Sequence, residues 1–376
     1  MQYYLMNDRI IRRIKSFFEN IDIKTDSPDK VIIMNSVEPF IDQTFFYFTG
    51  LSSGLFEGCS VIFDQNHNVK LFTSKLEEQT AIANSSVEIV PYEDYKSYLS
   101  LLQREIKPNE TIGFNSSGLT VNTFNNMKKT FPENEFIDVS RSVLLTRTLK
   151  DQQEINLIKK SADIAGQAYN SILDSIETNT TEEQLSSLLN YKMEYYGASN
   201  PSFETIIAFG DNSAEPHYAP QKTKLSKNSI VLTDFGAKYK KYCSDITRTI
   251  FYGKANNEFK EMYKVVLEAH KIGCENLIEG NLANEVHNKV ANYIDSTKYR
   301  GRFIHSTGHS LGLSVHDGAS ISSNSNLKLK EGMVFTIEPG IYIPKFGGIR
   351  IEDDLVVGKN KPEILSSLDR NLTELN

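Results

Sequence analysis

Tryptophan is absent from this 376-residue chain, and cysteine occurs only three times, at positions 59, 243 and 274. The missing indole excludes no function. The thiols exclude more: an odd number at wide spacings is no disulfide framework and points to a reducing compartment, which we read as the cytoplasm. No apolar run approaches the ~18 residues of a membrane-spanning helix. The first twenty residues are broken by Asp8, Arg9, Arg12, Arg13 and Lys15, with no small-residue cleavage site after them, so they are not read as a signal peptide. Basic charge is also scarce. Lys and Arg number 41 against 48 Asp and Glu, the net charge is −7, and basic runs such as Arg12-Arg13 and Lys240-Lys241 are short. A grip on nucleic-acid phosphates needs a basic stripe, so nucleic acid is not expected as a partner, nor is a membrane. Tandem repeats and low-complexity tracts are missing too.

The composition that remains, 39% apolar and 24% charged, is that of a folded globular protein. Length alone suggests about two domains. Residues 31–34, 45–49, 60–63 and 69–73 read as strands, and 76–84, 95–106 and 121–130 carry helical spacing. This is an α/β pattern with no acid–base cluster. The texture changes near residue 148. Residues 150–176 form a long amphipathic pattern with Ile155, Ile158, Ala162, Ala165 and Tyr169 on one face. The cap-like run Thr180-Thr181-Glu182-Glu183 opens a second helix. Domains are therefore expected at 1–148 and 149–376, with the chemistry in the second.

Three segments carry that chemistry. In IVLTDFGAKYKKYCSDITRTIFY, two β-rich runs flank the polar stretch 238–241 and read as a hairpin. A turn centred on the 239/240 bond sets Asp234 opposite Asp245, with Cβ atoms about 4.5–5.5 Å apart on one face. Carboxylates that close repel unless a proton or cation lies between them. Alone, the pair reads equally well as a solvated face. In TIEPGIYIPKFGGIRIEDDLVV, Glu338 and Glu352 are symmetric about Lys345 and lie in apolar runs, where an unpaired carboxylate is costly. Arg350 is an obvious salt-bridge partner there, and Asp353 and Asp354 are expected to be exposed at the strand end.

The third segment, FIHSTGHSLGLSVHD, places three of the seven histidines within 12 positions. Its glycines disfavour a helix, and no Glu follows His305 to make a zincin motif. In an extended chain His305 and His309 still share a face, and a glycine beside a histidine permits close approach by a ligand or another strand. Asp234, Asp245, Glu338, Glu352 and one histidine then form an oxygen-rich site for two divalent cations. The hard donors suit Mn²⁺, Co²⁺ or Fe²⁺ better than a thiolate-type zinc site does. Two metals about 3.5–4 Å apart can activate a water and polarise a carbonyl.

These motifs, in this order, resemble the pita-bread metallopeptidases. The preceding α/β domain is similar to the creatinase-type N-terminal domain of the Xaa-Pro peptidases. The resemblance implies an α/β N-terminal domain followed by an α+β catalytic domain, a curved antiparallel sheet covered by helices. It makes Asp234, Asp245, His309, Glu338 and Glu352 the ligands of two divalent metals, Mn²⁺ or Co²⁺ first, Fe²⁺ or Zn²⁺ as alternatives. Asp245 and Glu352 would bridge them, and Glu338 would take the proton of the attacking water. His217 matches the family histidine near the scissile bond and His316 the one at the substrate carbonyl. His305 and Arg350 would orient ligands or substrate.

The implied reaction is hydrolysis of Xaa-Pro bonds in short proline-containing peptides. Prolidase is the first reading and aminopeptidase P the alternative. A metal-free pita-bread interaction module is the reading of another class. A homodimer is implied as well. Three departures stand out: Ser310 where the family usually has Gly, Asp317 where it often has Glu, and no Arg shortly after His316. Lys328 and Lys330 are the nearest downstream cations.

Overall fold

The computed structural model describes residues 8–21 and 27–375. Residues 1–7, the head of the stretch not read as a signal peptide, lie outside the described residues; residues Asp8–Glu19 form a helix. Two compact units follow one another, Met1–Arg147 and Thr148–Asn376.

The first unit is built on a six-stranded mixed sheet. Its spatial order is Glu88–Tyr92, Val69–Ser74, Ser60–Phe63, Lys30–Met34, Thr111–Phe114, Glu135–Asp138. The three central strands are antiparallel to one another, and the outer pairings are parallel. One core cluster includes Ile32, Ile62 and Phe72 together with Tyr98 and Leu102 of the helix Tyr95–Glu105. Phe17, Phe48 and Phe63 meet elsewhere in the unit with ring centroids 4.4–5.8 Å apart.

Residues 45–49, expected as a strand, are instead helical, within Gln43–Thr49. The Asp42 side chain accepts from the Thr44 N–H, and Gly50 closes the helix in the left-handed conformation. The run is aromatic and uniformly apolar because every residue from Thr44 to Thr49 is buried, which hides the 3.6-residue period.

The second unit starts with the helix Gln152–Ile172, opened by an Asp151/Glu154 capping box, and the helix Glu182–Tyr195, opened by Thr181/Gln184. Both pack on the sheet through Ile164, Ala168, Leu185 and Leu189 against Val231, Phe235, Ile246 and Ile250. The helices Asn257–Asn276 and Ala283–Asp295 cover a second cluster with Ile230, Phe251, Ile341 and Ile349. Strands Ser229–Phe235 and Ile246–Tyr252 therefore contribute to both clusters, one through each face. This is the expected antiparallel architecture covered by helices.

The hairpin between these strands differs from expectation. Thr247, not Asp245, faces Asp234, and Tyr239 faces Tyr242, so the turn is centred on the 240/241 bond. Lys240 and Lys241 both adopt positive φ, 47° and 71°, the backbone of a two-residue hairpin turn of the primed kind. The partner changes by two residues, which preserves the face. Asp234 and Asp245 are diagonal neighbours rather than opposite ones. The second hairpin keeps its expected symmetry about Lys345: Gly340 pairs with Arg350, and Ile337 with Asp353.

Candidate metal centre

The metal-ligand candidates sit where these hairpins converge. On strand Ser229–Phe235 the residues Val231 and Phe235 join one core, so the alternate set that includes Asp234 points to the other side. Strand Gly308–His309 runs beside Val334–Ile337, with the His309 N–H donating to Thr336 Oγ1 and the Glu338 N–H to the Thr307 carbonyl. That approach is why residue 308 is glycine: a Cβ there would collide with the Thr336 carbonyl.

Asp245, His309 and Glu352 each offer a ligand atom, and the three atoms lie within 4.8 Å of one another. His309 Nε2 is 3.4 Å from Asp245 Oδ2 and 3.7 Å from Glu338 Oε1. Asp234 joins through Arg350, whose Nη2 donates to Asp234 Oδ2 at 2.6 Å. The other Asp234 oxygen is buried with no hydrogen-bond partner. Burial, and then the neighbouring carboxylates, push Asp245 and Glu352 well above the usual carboxylate range. Glu338 is also raised, because its burial outweighs the opposing pull of His309 and Arg350. An orphaned buried oxygen and a set of carboxylates that resist ionising together are what a divalent cation would relieve. The donor set fits such cations.

Around this cluster lies a hydrogen-bonded shell. Arg350, 3% exposed, donates from Nε to Thr247 Oγ1 at 3.0 Å and from Nη1 to the Tyr342 hydroxyl at 2.8 Å. The Thr247 hydroxyl in turn donates a hydrogen bond to Glu352 Oε2 at 2.6 Å. Tyr342 is 2.9 Å from His305 Nε2, and His305 Nδ1 is 2.8 Å from the Ser306 carbonyl. The polarity is consistent with a neutral His305 protonated on Nδ1, and burial, then Arg350, pulls its pKa down to about 4.

The His316 ring lies tilted against His309, with centroids 4.2 Å apart and planes at 59°, and its pKa is lowered by partial desolvation of the ring, then by His309 and His217. His217 is exposed, and the carbonyl of its neighbour Pro216 accepts from Arg350 Nη1 at 3.4 Å. All nine predicted site residues thus converge on one region.

Asp353 and Asp354 are corrections: both are completely buried, not exposed. Asp354 Oδ2 accepts the Asp245 N–H at 3.1 Å. Asp353 holds Arg248 at 2.7 Å and His270 at 3.0 Å, and also pairs with Arg370. Arg248 in turn donates to the Glu352 carbonyl at 2.6 Å. Thr247, Tyr342 and Asp354 were missed as supporting residues; each lies inside a quoted motif (SDITRT, TIEPGIY, GIRIEDD), which was the available signal. Cys243 is buried, its thiol pushed up to about 12 by burial, and it serves as packing.

The model of metallopeptidase family M24 matches residues 156–359, and that of the creatinase/prolidase N-terminal domain matches residues 25–148. A Xaa-Pro dipeptidase of Pyrococcus furiosus is 34% identical over 98% of this chain and 100% of its own length. A Xaa-Pro dipeptidase structure from Bacillus anthracis superposes with a TM-score of 0.89 at 30% identity, covering 97% of this chain and 100% of that one. An X-Pro aminopeptidase structure from Thermotoga maritima gives 0.87 at 30% identity, covering 93% and 98%.

Proposed function

The chain belongs to metallopeptidase family M24, with a creatinase/prolidase N-terminal domain, and from that footing we propose that it hydrolyses the Xaa-Pro bond of dipeptides. The observation that carries the reading is the buried cluster of Asp245, His309 and Glu352, with Glu338 and Asp234 at its edge. These five residues would hold two divalent cations. The hard donors favour Mn²⁺ or Co²⁺, with Fe²⁺ or Zn²⁺ as alternatives. When bound, such a pair lowers the pKa of water and polarises a carbonyl.

The protein's own groups supply the rest. Glu338, 3.7 Å from His309 Nε2 at the edge of the cluster, accepts a proton from the attacking water and passes it to the departing proline nitrogen. His316 and His217 flank the substrate carbonyl, and the depressed pKa of His316 leaves it neutral at pH 7. Arg350, Tyr342 and His305 fix Asp234 in place. An Xaa-Pro bond has no N–H, so binding by backbone pairing is weak, and a site that acts on the carbonyl avoids that difficulty.

One observation favours a second reading, aminopeptidase P on longer peptides. Residues 317–327 contain no Lys or Arg to receive a proline carboxylate. Three buried, unpaired cysteines support a cytoplasmic setting. A homodimer rests on the family resemblance alone.

The test uses chelator-stripped protein reloaded with Mn²⁺ or Co²⁺. Ala-Pro and Met-Pro are compared with Xaa-Pro-Xaa tripeptides and a Met-Ala control. Cleavage of the dipeptides alone supports prolidase, and cleavage of the tripeptides supports the second reading. Absence of metal-dependent Xaa-Pro cleavage overturns both.

A further inference from the structure

One buried carboxylate of the catalytic unit lies outside the metal-ligand cluster. Glu182 is the first residue of the helix Glu182–Tyr195 and is completely buried. Its Oε1 accepts from the Phe209 N–H at 2.8 Å and from Asn212 Nδ2 at 2.9 Å. Its Oε2 accepts from the Tyr218 hydroxyl at 2.9 Å and from the Gln221 N–H at 3.1 Å. Asn212 Nδ2 also donates to the Tyr218 hydroxyl at 2.7 Å, which leaves that hydroxyl's proton for Glu182. All four partners are neutral donors, and only a carboxylate accepts through both oxygens; a glutamine would turn an NH₂ toward one pair of them. Burying a charge is costly, and an apolar side chain would serve a merely structural contact, so stability alone explains Glu182 poorly.

These partners all lie on the segment that carries His217. Residues 209–223 leave the strand Ile206–Phe209 and return to the start of the helix, where the Glu182 N–H donates to the Thr223 carbonyl and the Glu183 N–H to the Gln221 carbonyl. Within the segment His217 and Tyr218 face opposite ways: His217 is exposed, whereas Tyr218 is buried against Ala208 and Leu232. Leu232 shares a face of its strand with Asp234. On the other side of His217, the Pro216 carbonyl accepts from Arg350 Nη1 at 3.4 Å. The turn Gly210–Ala214 rests on the strand Gly347–Arg350, with the Gly348 N–H donating to Ser213 Oγ at 2.8 Å. A Cβ at Gly348 would collide with the Ser213 carbonyl. His217 is thus held between anchors on the strands of Asp234 and Arg350, and Glu182 ties the segment together from inside.

We propose that Glu182 is a positioning residue that, through Tyr218, holds His217 beside the Asp234 strand and so fixes its approach to the substrate carbonyl without touching substrate. When one of its oxygens is replaced by an amide nitrogen, one pair of donors loses its acceptor and the segment loosens around His217. The inference rests on the proposed Xaa-Pro hydrolysis.

The experiment compares the metal-loaded wild type with Glu182→Gln, His217→Ala and the double variant. Glu182→Gln is expected to lower kcat/KM for Ala-Pro about tenfold with unchanged metal content, since a small misplacement of a positioned group is costly. His217→Ala lowers it at least as far, and adding Glu182→Gln to His217→Ala then costs no more than about twofold. In the Zn²⁺-loaded protein the His217 ring proton resonance, assigned by its loss in His217→Ala, shifts in Glu182→Gln, while that of His67 in the N-terminal unit does not. A purely structural carboxylate would lower Tm alone, or its loss would add in full to that of His217. Either result overturns the proposal, as does wild-type activity of His217→Ala. If Glu182→Gln does not fold, Tyr218→Phe removes only the hydroxyl link and is expected to lower kcat/KM a few-fold, again without adding to His217→Ala; wild-type kinetics and an unmoved resonance there are equally fatal. A wild type that cleaves no Xaa-Pro bond sinks the functional reading instead, leaving the resonance shift to judge this one.

Discussion

Arg350 ties three polar side chains with one guanidinium, and each leads toward the carboxylate cluster. Asp234 is bound directly, Glu352 through Thr247, and His305 through Tyr342. A lysine could reach one of these at a time, because an ammonium lacks the planar fork. Arg350→Lys is therefore expected to weaken metal affinity by about 10–100-fold while leaving the fold intact. Calorimetric titration of the stripped protein with Mn²⁺ reads this directly, and wild-type affinity in the variant would refute the tethering role. At this scale the sequence motifs pointed to nine candidate residues that the fold brings together, but misjudged two neighbours. Asp353 and Asp354 look like exposed acids in GIRIEDD because the residues that bury them are far away in the chain. Arg248, His270 and Arg370 come from three other segments, and no local pattern announces their convergence.

Elements were legible where caps and periodicity agreed. The helix Val121–Thr130 matches its expected bounds, with Thr120 capping it. Strand Ser60–Phe63 also matches. The helix Gln43–Thr49 was misread because burial on all sides removes its periodicity, although Asp42 and Gly50 were the terminal signals that argue for a helix. The hairpin turn at Lys240-Lys241 was displaced by one peptide bond for a different reason: lysine has no preference for positive φ, so nothing in KYKK singles out the central pair. Left-handed backbone at non-glycine residues is costly. Lys240→Asn/Lys241→Gly supplies the residues this turn favours and should stabilise the catalytic unit by about 1 kcal/mol, raising Tm by roughly 2–4 °C. Thermal unfolding of the metal-loaded protein measures it, and an unchanged or lowered Tm would show that the lysines bear no backbone strain.

Across the whole molecule, the two units carry carboxylates displaced in opposite directions, and their responses to pH should differ. In the N-terminal unit, burial alone would raise Asp64, but hydrogen bonds from Asn68 and Lys30 outweigh it and hold Asp64 below the usual range. A depressed native pKa contributes stability that is present above the unfolded value, about 3.9, and is lost on acidification. In the catalytic unit without metal, Asp245, Glu338 and Glu352 are raised by burial, Asp245 next by Asp234 and Asp354, and Glu352 next by Asp245 and Glu338. A raised native pKa works the other way: stability is fully present below about pH 4 and is lost as pH rises through the native values. Asp353, held low by Arg248 and His270 against its burial, loses its contribution only on acidification and cannot mask this trend near neutral pH.

Chelator-treated protein should therefore show weaker protection of strand Ile246–Tyr252 at pH 8 than at pH 5, while strand Ser60–Phe63 changes little over that interval. Divalent cations should remove the difference, since they neutralise the carboxylates that would otherwise repel. Hydrogen exchange, corrected for the intrinsic pH dependence of the amide rates, resolves both strands in one sample. Equal or greater protection of the metal-free catalytic strand at pH 8 would mean that the cluster ionises without penalty, and the electrostatic case for a cation there would fall with it.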